Sequence, residues 1–340
     1  MKEEAGLSHD FSTAHTNSSS LLGGPATLTV DDLAQMAQTN SEDVREFWVA
    51  MGFPSPRADE KVFTENDARL FIEWSKFIAS GAIDQATARS LLRANSHLAD
   101  RLGLWQVEAL VEDTMRRYGL DDTAARMYVL DHIRERVDMF DELLRHSWRR
   151  QLDALLKRMD HEIATRGHEG LQPRFPLNRS LGFVDMVSYT SSSTILGGRL
   201  VDLIGRFEQL SRDAVTDAGG RVVKMIGDAV MYIADDLETG LRVAVSLIEQ
   251  LGADDQMLPV RASFVRGDVF SRSGDVFGPT VNLASRLVDI APVGKILMDP
   301  TTAAAIAAGK AGMEYDVEEF PSATLRGFGT ISPYLLTYRL

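Results

Sequence analysis

From Leu28 onward the apolar positions of this chain recur at helical spacing, with polar caps between the runs. In "TVDDLAQMAQ", Thr29 stands in a capping position with Asp32 three residues on, and Leu33, Met36 and Ala37 follow at helix spacing. "SEDVREFWVAMG" repeats the arrangement with Ser41 as cap and Gly52 as stop, and "TENDARLFIEWSKFIASG" repeats it from Thr64 to Gly81. Further helical segments run through "TARSLLRANSHLADRLG" and "WQVEALVEDTMRRYG". A long helical stretch then begins near Met127 and carries Arg145, Arg149, Arg150, Lys157 and Arg158. It stops in the Gly/Pro-punctuated "RGHEGLQPRFPLNRS", Arg166 to Ser180, which is the clearest boundary in the chain. The pattern predicts a disordered Ser/Thr/Gly-rich tail over 1–27, an all-helical domain over 28–125, and a helical linker with a connecting loop over 126–177. The linker helix is amphipathic enough to pair with a second copy or with a neighbouring domain.

After Ser180 the period changes. "LGFVDMVSY" reads as a short apolar strand, followed by a Leu/Ile-rich helix from about Thr194 to Asp217. "GGRVVKMIGDAVMYIA" reads as two strands closed by a tight Gly227-Asp228 turn. Next come a helix near Thr239 to Leu251, the strand "LPVRASFVRGDV", a helix opened by "GPTVNLASR" and the strand "GKILMDP". This order predicts an α+β fold over 178–340. It is a ferredoxin-like palm whose sheet is covered by helices on one face.

At 340 residues and 44% hydrophobic, the chain has material for two cores. Its longest apolar runs are too short to cross a bilayer, and "MKEEAGLSHDFSTAHTNSSS" lacks a signal peptide's apolar core, so a soluble cytoplasmic protein is expected. No cysteine occurs, so any metal must be held by oxygen or histidine. The formal charge of -13 opposes a general affinity for nucleic acid or anionic lipid. The opening helices are similar to a helix-turn-helix, which makes a DNA-binding regulator the rival function. Between Thr29 and Trp74, however, only Arg45, Arg57, Lys61 and Arg69 stand against Asp31, Asp32, Glu42, Asp43, Glu46, Asp59, Glu60, Glu65, Asp67 and Glu73. Phosphate would be repelled by that surface.

Three pairs of residues suggest chemistry. Asp185 and Asp228 interrupt apolar strand sequence, and a buried charge is costly unless paired or bound to a cation. Hard divalent ions use one or two carboxylates with water and phosphate oxygens; the bland alternative makes Asp228 a turn residue. Lys224 in "RVVKMIG" is either on a wet face or, with Asp275, a donor and acceptor suited to the N1 and N6 edge of adenine. Asn282 and Arg286 in "DVFGPTVNLASR" are four apart and share a helix face, unless that helix is simply a capped surface element.

The motifs "FVDMVSYT", "GGRVVKMIGDAVM", "DVFGPTVNLASR" and "GKILMDP" occur in the order and spacing of the class III nucleotide cyclases, and the chain from about Asn178 resembles their catalytic domain. The resemblance implies an adenylate cyclase that converts ATP to 3′,5′-cyclic AMP and pyrophosphate with two divalent cations, Mg²⁺ or Mn²⁺. It places the metal-binding role on Asp185 and Asp228, adenine selection on Lys224 and Asp275, ribose orientation on Asn282 and transition-state stabilisation on Arg286. Phe183 is grouped with the substrate-binding residues. Many members carry a triphosphate-binding lysine near the C-terminus; here "TLRGFGTISPY" has Phe328 at that place, and Arg326 is the candidate substitute. Because both sets of residues lie in one chain, a homodimer with two equivalent sites is implied. A catalytically inactive scaffold remains the alternative within the family.

A helical module ahead of a cyclase domain resembles soluble actinobacterial cyclases in which the module is regulatory and, in some members, responsive to pH. All seven histidines, His9, His15, His97, His132, His146, His161 and His168, precede the catalytic domain. His132, His146 and His161, near Asp131, Glu135, Asp160 and Glu162, are candidates for a pH response through the linker.

Overall fold

The first helices form because their ends are closed locally. In the computed structural model, α1 (Val30–Ala37) starts with a reciprocal capping box between Thr29 and Asp32, and α3 (Glu65–Ala79) starts with the same box between Thr64 and Asp67. Helix α2 (Ser41–Ala50) is capped one residue earlier than expected: the Asn40 side chain accepts from Asp43 N, while Ser41 is already helical. Val30, Leu33, Val44, Phe47, Phe63 and Phe71 turn inward from these helices and their connections to make a small core.

The structure describes residues 18–166, 177–187, 189, 199–272, 274–309 and 315–338. The chain divides into two compact units, Met1–Glu169 and Gly170–Leu340. Residues 1–17 of the expected tail lie outside the described residues, but 18–27 do not behave as a disordered tail. Thr27 N and Leu28 N donate to Phe63 O, and Asn66 Nδ2 donates to Leu22 O at 2.9 Å, so this segment is tied down by backbone and side-chain hydrogen bonds. The two helical segments expected next are one helix, α4 (Gln85–Tyr118), which runs straight through Gly103. The long linker helix is divided at Ile133 into α5 (Asp122–His132) and α6 (Arg134–Arg166). Among the described residues no helix is long and apolar enough to cross a membrane.

The second unit is built on β1 (Leu177–Met186), β2 (Arg221–Ile226), β3 (Ala229–Ala234), β4 (Val260–Arg272), β6 (Ile296–Met298), β7 (Tyr315–Glu319) and β10 (Tyr334–Tyr338). Their order across the sheet is β2-β3-β1-β4-β6-β10-β7, and the short β5 (Asp275–Phe277) folds back on the end of β4. The order β2-β3-β1-β4, all antiparallel, with α7 (Arg199–Asp217) after β1 and α8 (Leu237–Gly252) after β3, is the ferredoxin-like palm. Gly182 is needed at the centre of β1, where a Cβ would lie 1.9 Å from Ser263 O; the Tyr232 hydroxyl passes there to donate to that carbonyl at 2.9 Å.

The sheet is covered on both faces, not on one as expected. Leu203, Phe207, Leu241, Leu247, Ala303 and Ile306, from α7, α8 and α10 (Pro300–Ala308), pack on the Val184, Tyr232 and Phe264 face. On the other face α9 (Pro279–Ile290) inserts Ala284, Leu287 and Val288 against Phe183, Met231 and Val265. Leu325, from the hairpin of β8 (Ala323–Leu325) and β9 (Gly329–Ile331), joins that second cluster. The order of strands and helices had suggested one covered face; α9 covers part of the other and leaves the remainder for polar side chains.

Candidate active site

Strand alternation puts the first acid on the α9 face. Val184 and Met186 point into the α7/α8 core, so Asp185 shares a face with Phe183, opposite Ala229 on β3 and Arg261 on β4. Met186 N donates to Asp228 O at 3.0 Å, which pins the β2–β3 turn against the end of β1 and brings the second acid to the first. Gly227, at φ 60°, supplies the left-handed residue that this turn requires.

Burial pushes the Asp228 carboxyl above its ordinary range; its own backbone N–H pulls it back, the Asp185 charge raises it further, and Arg261 lowers it. Two carboxylates in each other's field, offset by the single guanidinium of Arg261, form a net negative oxygen donor set, which fits hard divalent cations. Among the described residues no third His, Asp or Glu completes an all-protein cage, so other oxygen donors would have to come from water and a bound ligand.

Sequence reasoning missed Arg261. Its Nη2 and Nε donate to Asp185 Oδ2 at 2.8 and 3.1 Å, and its Nη1 donates to Asp289 O on α9. Its signal was an arginine inside the apolar run "LPVRASFV", at a position whose neighbours Val260 and Ala262 are core residues.

Lys224 and Asp275, the pair expected to select adenine, are in contact: Lys224 Nζ donates to Asp275 Oδ2 at 2.5 Å, with about a third of each side chain exposed. A bulge in β2 makes this possible. Val222 pairs with Tyr232 and Lys224 with the next residue, Met231, so the register slips between them. Without the slip, Lys224 would share the face of Val222, which packs on the α7/α8 core. With it, Lys224 stands opposite Met231 on the α9 face, where β5 presents Asp275. The other Asp275 oxygen accepts from Val276 N at 2.8 Å, which holds the carboxylate in place.

Asn282 and Arg286 lie one turn apart on the exposed side of α9. With Pro279, Arg326, Gly327 and Phe328 they line an open groove of about 470 Å³. Arg286 Nη1 is 3.6 Å from Asp289 Oδ2, a half-exposed contact of little energetic weight. Arg326 is therefore brought beside Asn282 and Arg286, while Phe328 leans on the apolar cluster beneath them. This groove includes none of Asp185, Asp228, Lys224 and Asp275.

Phe183 is 7% exposed in the α9-face core and its N–H donates to Ser263 Oγ at 3.1 Å, so its side chain packs the sheet on the face that carries Asp185. The remaining site residues stand on one sheet face in three groups, the acid pair with Arg261, the Lys224–Asp275 pair, and the helix-borne Asn282 and Arg286 with Arg326.

A ferredoxin-like sheet with paired acids at the β1 end and the β2–β3 turn, a Lys–Asp pair on one face and an Asn/Arg-bearing helix defines a nucleotide cyclase of the class III type. Searched against protein-family models, the chain matches none. It is 36% identical over 326 residues to an adenylate cyclase of Glutamicibacter nicotianae, covering 93% of this chain and 80% of that protein. It is 31% identical over 345 residues to an adenylate cyclase of Streptomyces coelicolor, covering 94% and 88%. A shorter match, 32% over 143 residues, covers 41% of this chain and 36% of the "pH-sensitive adenylate cyclase" of Mycobacterium tuberculosis. Among solved structures, the adenylyl cyclase CyaB from P. aeruginosa overlays with a TM-score of 0.43 at 18% identity, covering 49% of this chain and 96% of that one. The chain belongs to the adenylate cyclase family, as a member with a helical unit ahead of its cyclase unit.

Proposed function

We propose that the enzyme makes 3′,5′-cyclic AMP and pyrophosphate from ATP at sites shared between two copies of the chain. The observation that carries the substrate assignment is the Lys224–Asp275 pair on the α9 face. Adenine offers an acceptor at N1 and a donor at N6; Lys224 Nζ donates to the first and Asp275 accepts from the second. Each gives up its hydrogen bond to the other and gains one to the base. Guanine presents the reverse pattern, N1–H facing the ammonium and O6 facing the carboxylate, and is rejected by repulsion as much as by lost bonds.

Asp185 and Asp228 are the residues that would hold two divalent cations, Mg²⁺ or Mn²⁺, whose contribution is to neutralise the triphosphate and acidify the ribose 3′-hydroxyl. Asn282 holds the ribose so that its 3′-oxygen lies in line with the α-phosphorus. As the new O–P bond forms and the bond to the β-phosphate oxygen breaks, Arg286 donates to the α-phosphoryl oxygens where charge accumulates. Arg326, in the same groove, faces the departing pyrophosphate. Arg261, which donates to Asp185, would be a further donor on the acid side.

The homodimer reading is supported by the groove itself, which gathers Asn282, Arg286 and Arg326 but neither Asp185 nor Asp228. A two-fold axis placing the groove of one copy against the acids of the other gives two equivalent sites. Mixing inactive Asp228→Ala and Arg286→Ala chains tests this. Random pairing leaves half the dimers mixed, each with one complete site, so about a quarter of wild-type activity should return. Two inactive chains that remain inactive after refolding together would overturn the shared site.

The helical unit is assigned a regulatory role, with pH as the signal, in a cytoplasmic enzyme. His132 ends α5 at the break before α6. Its ring stacks on Tyr128 at 4.0 Å, its Nδ1 lies 2.8 Å from Tyr128 O, and Arg136 Nη1 donates to its carbonyl. Asp131 and Glu135 flank it. Protonation adds a charge at this break. His9, His15 and His168 lie outside the described residues. A pH–activity profile of the full chain that overlays the profile of residues 170–340 would dispose of this regulation.

A further inference from the structure

Helix α9 begins without the usual side-chain cap. Its N-cap is Gly278, at φ +141°, and offers its first N–H groups no oxygen. Thr280, the second residue of the helix, turns its hydroxyl away from α9: Oγ1 donates to Asp268 O on β4 at 2.7 Å. Gly267 provides the space for this. A Cβ there would lie 2.7 Å from Thr280 Oγ1 and 3.1 Å from its Cγ2. The Gly278 backbone approaches the same strand so closely that a Cβ would stand 3.3 Å from Asp268 O. The Asp268 side chain is tied in turn to β1, accepting from Asn178 Nδ2 at 3.0 Å.

We infer that Thr280, seated on Gly267, is the positioning residue that sets the register of α9 on the sheet and so places Asn282 and Arg286 against the nucleotide. The inference rests on the roles proposed for those two side chains. At a rise of about 1.5 Å per residue, Asn282 lies only about 3 Å along the axis from Thr280 and Arg286 about 9 Å, so a shift at 280 reaches both rigidly. Elsewhere α9 is held by Ala284, Leu287 and Val288, small or smooth apolar contacts that oppose lifting more than sliding, and at its C-terminal end by the long Arg261 side chain, whose Nη1 donates to Asp289 O. A directional hydrogen bond to a fixed carbonyl opposes sliding. Thr280 itself lies outside the groove that Asn282 and Arg286 line.

The test uses the full-length enzyme with Mn²⁺ and ATP. Thr280→Val keeps the shape and removes the donor; Thr280→Ser keeps the donor. A misplacement approaching 1 Å costs up to about a hundredfold, so Thr280→Val should lower kcat about tenfold or more with KM for ATP held within about threefold. Thr280→Ser should restore most of the loss, and the thermal midpoints of the two variants should agree closely. Gly267→Ala should be severely impaired, and the combination Gly267→Ala/Thr280→Ala less impaired than the two single losses multiplied, since the second change removes the clashing atoms. Arg286→Ala, measured beside them, separates the two layers of reasoning. If Arg286→Ala stays active, the site assignment itself fails. If Arg286→Ala is inactive while Thr280→Val turns over at the wild-type rate, positioning by Thr280 is wrong. A Thr280→Val loss that only follows a lowered thermal midpoint, unrescued by Thr280→Ser, overturns it equally.

Discussion

Exchanging the Lys224–Asp275 pair should move nucleotide preference more than it moves stability. In the free enzyme the two groups are bonded at 2.5 Å with about a third of each side chain exposed, so solvent screens them and their mutual contribution to folding is about 1 kcal/mol or less. In the proposed nucleotide complex each would make a hydrogen bond between a charged group and the base, worth about 1.5–3 kcal/mol. Losing both therefore removes about 3–6 kcal/mol of discrimination, which at about 1.4 kcal/mol per tenfold is a factor of about 10² to 10⁴ in the ATP-to-GTP ratio. The double variant Lys224→Glu/Asp275→Cys reverses the donor and acceptor pattern and should also raise GTP turnover. The assay is kcat/KM for cyclic AMP from ATP and for cyclic GMP from GTP, with the thermal midpoint followed in parallel. A folded double variant that still cyclises nucleotide with an ATP-to-GTP ratio within about threefold of wild type would refute base reading by this pair, since that factor is under about 0.7 kcal/mol.

Two further outcomes follow from the acids and the groove. The Asp228 carboxyl is raised on folding by burial and by the Asp185 charge, so its favourable contribution is present below the ordinary carboxylate range and is lost as pH rises through the raised folded value. Asp228→Asn should accordingly stabilise the cation-free protein at neutral pH while lowering cyclase activity by about 10² or more; a lower thermal midpoint in chelator would contradict this. Removing Arg326, exposed in the groove beside Arg286, should raise KM for ATP about tenfold with kcat less affected; an unchanged KM would leave the triphosphate without a partner from this hairpin.

The amino-acid sequence determined, without help from the rest of the chain, the features that close over a few residues. The capping boxes at Thr29 and Thr64, the Gly227-Asp228 turn and the α9 helix after Pro279 were all legible because their hydrogen bonds join near neighbours. The acids were legible because charge is conspicuous in an apolar strand. The cap at Asn40 was misplaced by one residue because Ser41 is an equally good local choice. What only the tertiary structure decided depends on partners far apart in sequence. The slip that sends Lys224 to the α9 face exists only in the pairing of β2 with β3, and its partner Asp275 is 51 residues away. Arg261 meets Asp185 across 76 residues, and nothing in "LPVRASFV" announces which strand will lie beside it. Phe183 stands two residues before Asp185 on the same face yet is core, because depth changes along a strand as well as between its faces. Coverage of the second sheet face by α9 likewise followed from packing. Local hydrogen bonds are settled by composition and spacing, whereas register and face are settled by which surfaces the assembled sheet leaves to be buried.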